Sequence, residues 1–190
     1  MNNVFLLLGS NLGDRNLLLE QAMRYIEEDI GQVVKKSSVY ETQSWGKTDE
    51  PDYLNRVVEI QTALPAQAIL QKIFAIEQTM GRKRDEKWGS RIIDIDILFY
   101  NSAIINEPGL HVPHPELHKR RFTLEPLAEI GLIEIAESCL IFLTDISLIK
   151  VRKRSHSGVP RSNSIPAYKS SVFSRKIIKF TFLMGVLVPS

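Results

Sequence analysis

"WGSRIIDIDILFY", residues Trp88 to Tyr100, carries two aspartates inside an apolar run that reads as a β-strand from Ile92 to Tyr100. Residues two apart on a strand point to the same face, so Asp94 and Asp96 project side by side while Ile93, Ile95 and Ile97 fill the opposite face. Carboxylates that close repel one another, and a shared proton or a divalent cation relieves the repulsion. With oxygen donors at hand and no Cys or His cluster nearby, magnesium is favoured over zinc. The plainer alternative is a solvated strand face whose aspartates form surface salt bridges with arginines.

Basic residues bracket the strand. Arg82, Lys83, Arg84 and Arg91 precede it, and Lys119, Arg120 and Arg121 follow beyond a proline-rich segment. Guanidinium groups grip phosphate oxygens in bidentate fashion, so a cation held among arginines points to a polyphosphate. The segment "GRKRDEKWGSR" (81–91) is a charged, Gly-bounded loop, expected to be mobile until an anion arrives.

Working outward, Val4 to Leu8 reads as a strand buried on both faces, ended by Gly9-Ser10-Asn11. Leu18, Ala22, Tyr25, Ile26 and Ile30 recur at helical intervals, with Asp14 as N-cap and Gly31 as stop. "VVKKSSVYET" (33–42) is a weaker strand, and "YLNRVVEIQTAL" (53–64) alternates as another. Pro65 opens a helix through Ile69, Ile73, Ile76 and Met80, closed by Gly81. "NEPGLHVPHPELHKRR" (106–121) has no periodicity and reads as irregular, and Phe122 to Ile130 forms a short helix limited by Pro126. "GSNLGDRN" (9–16) sits between a strand and a helix but lacks the P-loop spacing and the Rossmann fingerprint, so its role is structural.

The whole chain, 190 residues with 44% hydrophobic side chains, suits one core of α/β or α+β class. Its net charge of +2 hides two unlike parts. Residues 1–149 hold 15 Lys and Arg against all 22 Asp and Glu, a balance of −7, while 150–190 hold the other 9 basic residues and no acid. The acidic body argues against a nucleic-acid surface there. The lone Cys139 cannot form an internal disulfide, which fits a reducing compartment, and "MNNVFLLLGSN" reads as a first strand, not a signal peptide. After Gly131 an apolar stretch without clean period leads into "RKRSHSGVPRSNSIPAYKSSVFSRK" (152–176), basic and Ser-rich, with the composition of a disordered tail. The closing "IIKFTFLMGVLVPS" is too short, and too interrupted by Lys179, to span a bilayer.

Five segments in order carry a family: "LGSNLGDR" near the start, "VYET" with Thr42, "PDYLN" with Tyr53 and Asn55, "GRKRDEKWGSRIIDIDIL", and "VPHPELHKRRFTLEPLAEI". The chain resembles the 6-hydroxymethyl-7,8-dihydropterin pyrophosphokinases of folate biosynthesis, which move pyrophosphate from ATP to a pterin. The fold read here is α+β of ferredoxin-like type, a mostly antiparallel sheet with helices on its faces. It occupies residues 1–130, and 131–190 form an atypical basic extension that looks unrelated or frame-shifted.

By position, the resemblance implies that Asp94 and Asp96 hold two Mg²⁺ ions bridging ATP and the pterin hydroxymethyl group. Arg82 and Arg91 would grip the phosphates, with Trp88 on a loop that closes over both substrates. Glu77, Arg84, Ile97, His114 and Arg120 fall to the ATP site, and Thr42, Tyr53, Asn55 and Phe122 to the pterin. A flat, polar-edged pterin independently wants an aromatic face and amide partners at its rim. The implied protein is a cytoplasmic monomer acting on small molecules, with no nucleic acid or membrane partner. Ser90, Phe74 and Trp45 depart from the usual pattern at the lid and pocket rim. Two rivals stand beside this reading: another magnesium enzyme using the same aspartates, such as a nucleotidyltransferase or phosphohydrolase, and a nucleic-acid binder working through the basic tail.

Overall fold

The computed structural model describes residues 1–43, 51–82, 91–131 and 151–153. In chain order the elements are β1 (Asn2–Ser10), α1 (Arg15–Asp29), β2 (Gln32–Lys36), β3 (Tyr40–Thr42), β4 (Tyr53–Thr62), α2 (Ala66–Thr79), β5 (Asp94–Tyr100), β6 (Ile105–Glu107), β7 (Leu110–Val112), a 3-10 turn (Leu117–Lys119), α3 (Arg121–Glu129) and β8 (Val151–Lys153). One sheet runs β5-β1-β4-β3-β8, with β2 beside β3 on the same flank of β4. Every pairing in it is antiparallel, as the sequence led us to expect for most.

Helix α1 starts where the Asp14 side chain accepts the Leu17 N–H, satisfying one of the free donors of a helix N-terminus. It stops at Gly31, where a Cβ would come within 2.3 Å of the Gln61 carbonyl oxygen. Its buried stripe is Leu19, Ala22, Met23 and Ile26. The stripe thus begins one residue later than expected: Leu18 is half-buried, and Leu17 faces solvent. Helix α2 follows Pro65, buries Ile69, Ile73 and Ile76, and ends at Gly81, whose φ of +88° a side chain would strain.

Alternation along the strands makes two cores. Leu6, Leu8, Val58, Ile60, Ile93, Ile95 and Ile97 pack with α1 and α2. Leu7, Val57, Leu98 and Phe99 pack on the other face with Leu117, Leu124, Leu127 and Ile130. A bulge aligns Ile97 with Leu6 but Phe99 with Phe5. It lets Leu98 and Phe99 share the α3 side, where Phe99 meets Phe5 edge-on at 6.2 Å. Pro126 does not end α3; the helix continues through Glu129 with Pro126 buried inside it.

Three local readings change. Residues 33–42 are not one strand but β2 and β3, interrupted where Ser37 donates its N–H to the Val57 carbonyl (2.9 Å) and accepts the Val57 N–H on Oγ (3.0 Å). Residues 106–121 are not irregular throughout: β6 and β7 pair in a hairpin turned at Gly109, followed by a cis Val112–Pro113 bond and the 3-10 turn. Three-residue strands are too short to show a period. The basic end carries β8, paired with β3 from Thr42↔Val151 to Tyr40↔Lys153. Among the described residues no helix is long and apolar enough to cross a membrane.

Candidate active site

The site lies on the α3 face of the sheet, at the end where β5 begins. Register places Tyr40, Asn55, Gly9 and Asp94 in one row across β3, β4, β1 and β5. Laterally paired residues point to one face, so Asn55 and Asp94 stand two strands apart, about 10 Å, with only a glycine between them. Gly9 has to be small. A Cβ there would lie 3.2 Å from Asn55 Oδ1, and any larger side chain would fill the floor between amide and carboxylate.

On the β3 side, Asn55 Nδ2 donates to Thr42 Oγ1 at 2.9 Å, and both residues are buried. Tyr53 pairs with Thr42 across β3 and β4. Phe122 stands in the first turn of α3, half-buried, with the Arg120 guanidinium 5.9 Å from its ring centre. The Asn55 amide and the Thr42 hydroxyl thus share one margin, while Phe122 stands beside Arg120.

On the β5 side every aspartate oxygen named has a cation against it. Arg82 Nη1 lies 2.6 Å from Asp94 Oδ1, and Arg91 bonds Asp94 Oδ2. Arg120 Nη1 lies 3.2 Å from Asp96 Oδ2, with His114 Nε2 at 3.8 Å from the same atom. Burial pushes the Asp96 carboxyl up, reinforced by the Asp94 charge and opposed by His114, Arg120 and Arg91. Burial pulls His114 below its usual range although Asp96 pulls it up, so the ring is neutral at neutral pH. Its Nδ1 accepts the Glu116 N–H at 3.1 Å, which leaves the proton on Nε2, facing Asp96. For Arg91, burial is outweighed by the charge and hydrogen bond of Asp94, and the guanidinium is held above its ordinary range.

The donor set suits magnesium. Two same-face carboxylates are the usual protein share of such a site, with substrate phosphates and water completing it. Among the described residues no group of three or more His, Cys, Asp or Glu gathers to hold a metal, so most ligands would have to arrive with the substrate.

Glu77 and Ile97 are placed differently from the rest. Glu77 is 2% exposed, and its Oε1 accepts the Ile95 N–H at 2.9 Å while also bonding Arg82, so it braces both the edge of β5 and a site arginine. Ile97 points its side chain into the core under α1 and α2, away from the aspartates. A cavity of about 360 Å³ is lined by Phe74, Glu77, Gln78 and Arg82, next to this wall. Arg84 and Trp88 lie outside the described residues, as do Ser90 and Trp45.

Two positioning residues were passed over as turn material. Asn11 accepts the Arg91 N–H on Oδ1 at 2.7 Å and donates its own N–H to the Arg91 carbonyl at 3.1 Å, fixing the residue that leads into β5. Arg15 reaches the Asp52 carbonyl (2.6 Å) and Glu41 (3.1 Å), tying the start of α1 to β3 and to the approach of β4. The signal for both was the "GSNLGDR" turn, whose polar residues sit beside the site once β1 is central.

Residues 5–132 match the family model described as 7,8-dihydro-6-hydroxymethylpterin-pyrophosphokinase (HPPK). The 2-amino-4-hydroxy-6-hydroxymethyldihydropteridine pyrophosphokinase of Aquifex aeolicus is 45% identical over 130 residues, covering 68% of this chain and 81% of that protein. Its Bacillus subtilis counterpart is 43% identical over 132 residues, covering 68% and 79%. Among solved structures, a Plasmodium falciparum HPPK-DHPS chain superposes with a TM-score of 0.55 at 20% identity, covering 68% of this chain. This chain spans 39% of that longer one, and the likeness bears on the fold alone. With motifs, sequence and architecture agreeing over one span, the chain belongs to the 7,8-dihydro-6-hydroxymethylpterin-pyrophosphokinase family.

Proposed function

We propose that this protein transfers pyrophosphate from ATP to the hydroxymethyl group of 6-hydroxymethyl-7,8-dihydropterin, releasing AMP and the pterin diphosphate. The observation that carries the reading is the single row across the sheet. It puts the Asn55 amide and the Asp94 carboxylate on one face, about 10 Å apart, which is room for a heterocycle beside a phosphate chain.

Transfer of this kind asks little covalent chemistry of a protein and depends on alignment and on neutralising oxygens. Asn55 and Thr42 bond the pterin edge, and Tyr53 and Phe122 flank its ring. Asp94 and Asp96 would hold Mg²⁺, two ions in our reading, and the metal would supply charge neutralisation during the transfer. Arg82, Arg91 and Arg120, which pair with the aspartates, move their bonds to phosphate oxygens when the nucleotide enters. Arg84 and Trp88 are assigned to the same phosphate site by the resemblance alone. His114, neutral, donates from Nε2 toward the nucleotide. Ile95 turns its N–H outward from the sheet edge to Glu77. Two-residue periodicity then turns that of Ile97 the same way, so Ile97 meets the nucleotide through its main chain. Glu77 acts from behind, by holding Arg82. The acceptor hydroxyl attacks the β-phosphorus in line, forming one O–P bond as the bond to AMP breaks and releasing its proton to solvent, without a covalent enzyme intermediate.

The catalytic unit is residues 1–130, with β8 added to its sheet edge; as a monomeric cytoplasmic enzyme it needs no macromolecular partner. Product analysis tests the assignment. Protein, ATP, Mg²⁺ and the hydroxymethylpterin should give AMP and a diphosphorylated pterin. Release of pyrophosphate or inorganic phosphate would instead favour a nucleotidyltransferase or a phosphohydrolase.

A further inference from the structure

Helix α3 touches both halves of the site. Its N-terminal end carries Arg120, on Asp96, and Phe122 beside that arginine. Its last residue is Glu129, whose carboxylate collects four donors from two separate strand regions. Oε2 accepts the Ser38 N–H (3.0 Å) and the Tyr40 hydroxyl (2.9 Å). Oε1 accepts Ser38 Oγ (2.8 Å) and Lys153 Nζ (2.9 Å). Three of these donors belong to the break before β3 and to β3 itself. Tyr40 lies in register with Asn55, and Thr42, two residues on, receives the Asn55 amide. β3 is only three residues long, and its outer neighbour β8 is another three. So short a pair has little ladder of its own, and its placement falls to side-chain ties.

We infer that Glu129 is a positioning residue for the acceptor half of the site: through Ser38 and Tyr40 it sets where β3 holds Thr42, and α3 thereby fixes the acceptor wall relative to the phosphate wall at Arg120. The inference rests on the proposed pterin site. A structural brace alone would lower stability and leave substrate affinities in proportion. A positioning brace changes acceptor affinity far more than nucleotide affinity, because Arg82 is held by Glu77 and the Arg91 main chain by Asn11, neither of which bonds Glu129.

The test compares wild type, Glu129→Gln, Tyr40→Phe and Lys153→Met by steady-state kinetics and by calorimetry with 6-hydroxymethylpterin and with a non-hydrolysable ATP analogue plus Mg²⁺. Glu129→Gln and Tyr40→Phe should raise the pterin KM and weaken pterin binding roughly five-fold or more, the size of one to two lost hydrogen bonds. ATP-analogue affinity should change by less than about two-fold, within the spread of surface effects. Lys153→Met, which removes the outer donor and leaves Ser38 and Tyr40 in place, should behave as wild type. Tyr40→Phe deletes one hydroxyl, so it keeps the test open if Glu129→Gln does not fold. Equal loss for both ligands, or no loss in a folded Tyr40→Phe, overturns the inference while leaving the assigned reaction standing. A wild type that binds neither ligand and makes no AMP overturns the assigned reaction, and the inference with it.

Discussion

At the scale of single residues, holding the reactants and holding the fold fall to different side chains. Asp96 is partly exposed, and its described partners are Arg120 and His114. Asp96→Ala should cut turnover on the order of 10³-fold, the usual loss when a main charge-neutralising group is removed, while the melting temperature stays close to that of wild type. Steady-state rates beside a thermal melt check both halves. Arg91→Ala is cleaner still, because Asn11 bonds the Arg91 backbone and not its side chain, so the turn before β5 survives the truncation. Its single-turnover rate should fall far more than its pterin affinity, since the proposed role of the guanidinium is on the phosphates. Gly9→Ala probes the floor. Its methyl group would press on Asn55 Oδ1, so pterin binding should weaken several-fold with ATP-analogue binding intact; equal affinities for both ligands would show that the floor tolerates the methyl.

At the scale of elements, close approach and end chemistry decide what a change costs. Gly31 sits against the Gln61 carbonyl with no room for a methyl, so Gly31→Ala should lose about 2–3 kcal/mol in urea unfolding through a forced shift of the α1–β2 turn. The brace at the end of α3 brings a pH dependence. Burial favours the protonated Glu129, but bonds from Lys153, Ser38 and Tyr40 outweigh it and hold the carboxyl below its usual range. The folded state therefore binds fewer protons than the unfolded one. The stabilisation is full above the ordinary carboxylate value of about 4.3 and is lost as pH falls through the lower folded value. Glu129→Gln should be less stable than wild type at neutral pH, and the gap should narrow below about pH 4. A constant gap from neutral to acid pH would show that the carboxylate is not bonded as described. Elements with long, regular patterns were legible in the sequence: α2 from its isoleucines and Pro65, β5 from its alternation. The β6–β7 hairpin and the split of β2 from β3 were not, because three-residue strands and a Ser37 side chain standing in for a ladder bond leave no periodic trace.

At the scale of the whole molecule, legibility of the site followed from where chemistry repeats locally. Asp94, Asp96 and the arginines around them, the residues of the proposed phosphate site, fall within one short stretch. The acceptor half could not be read that way. Thr42, Asn55 and Gly9 come from three strands and meet only through register, and Glu129 joins Tyr40 across 89 positions of sequence. That the two halves are one unit makes a global prediction. Asp94 and Asp96 carry arginine partners, so Mg²⁺ alone has to displace cations to bind, and nucleotide alone has to compete with carboxylates for the same guanidinium groups. Together they satisfy both sets at once. Thermal melts with each alone should therefore shift little, whereas Mg²⁺ with a non-hydrolysable ATP analogue at 100 times its dissociation constant should stabilise the protein by about 2.7 kcal/mol. For a domain of this size that is a rise of roughly 5–10 °C. Additive shifts, with Mg²⁺ alone accounting for half the total, would mean that the aspartates bind the ion without regard to their arginines, and the exchange of partners at the centre of the proposed mechanism would be wrong.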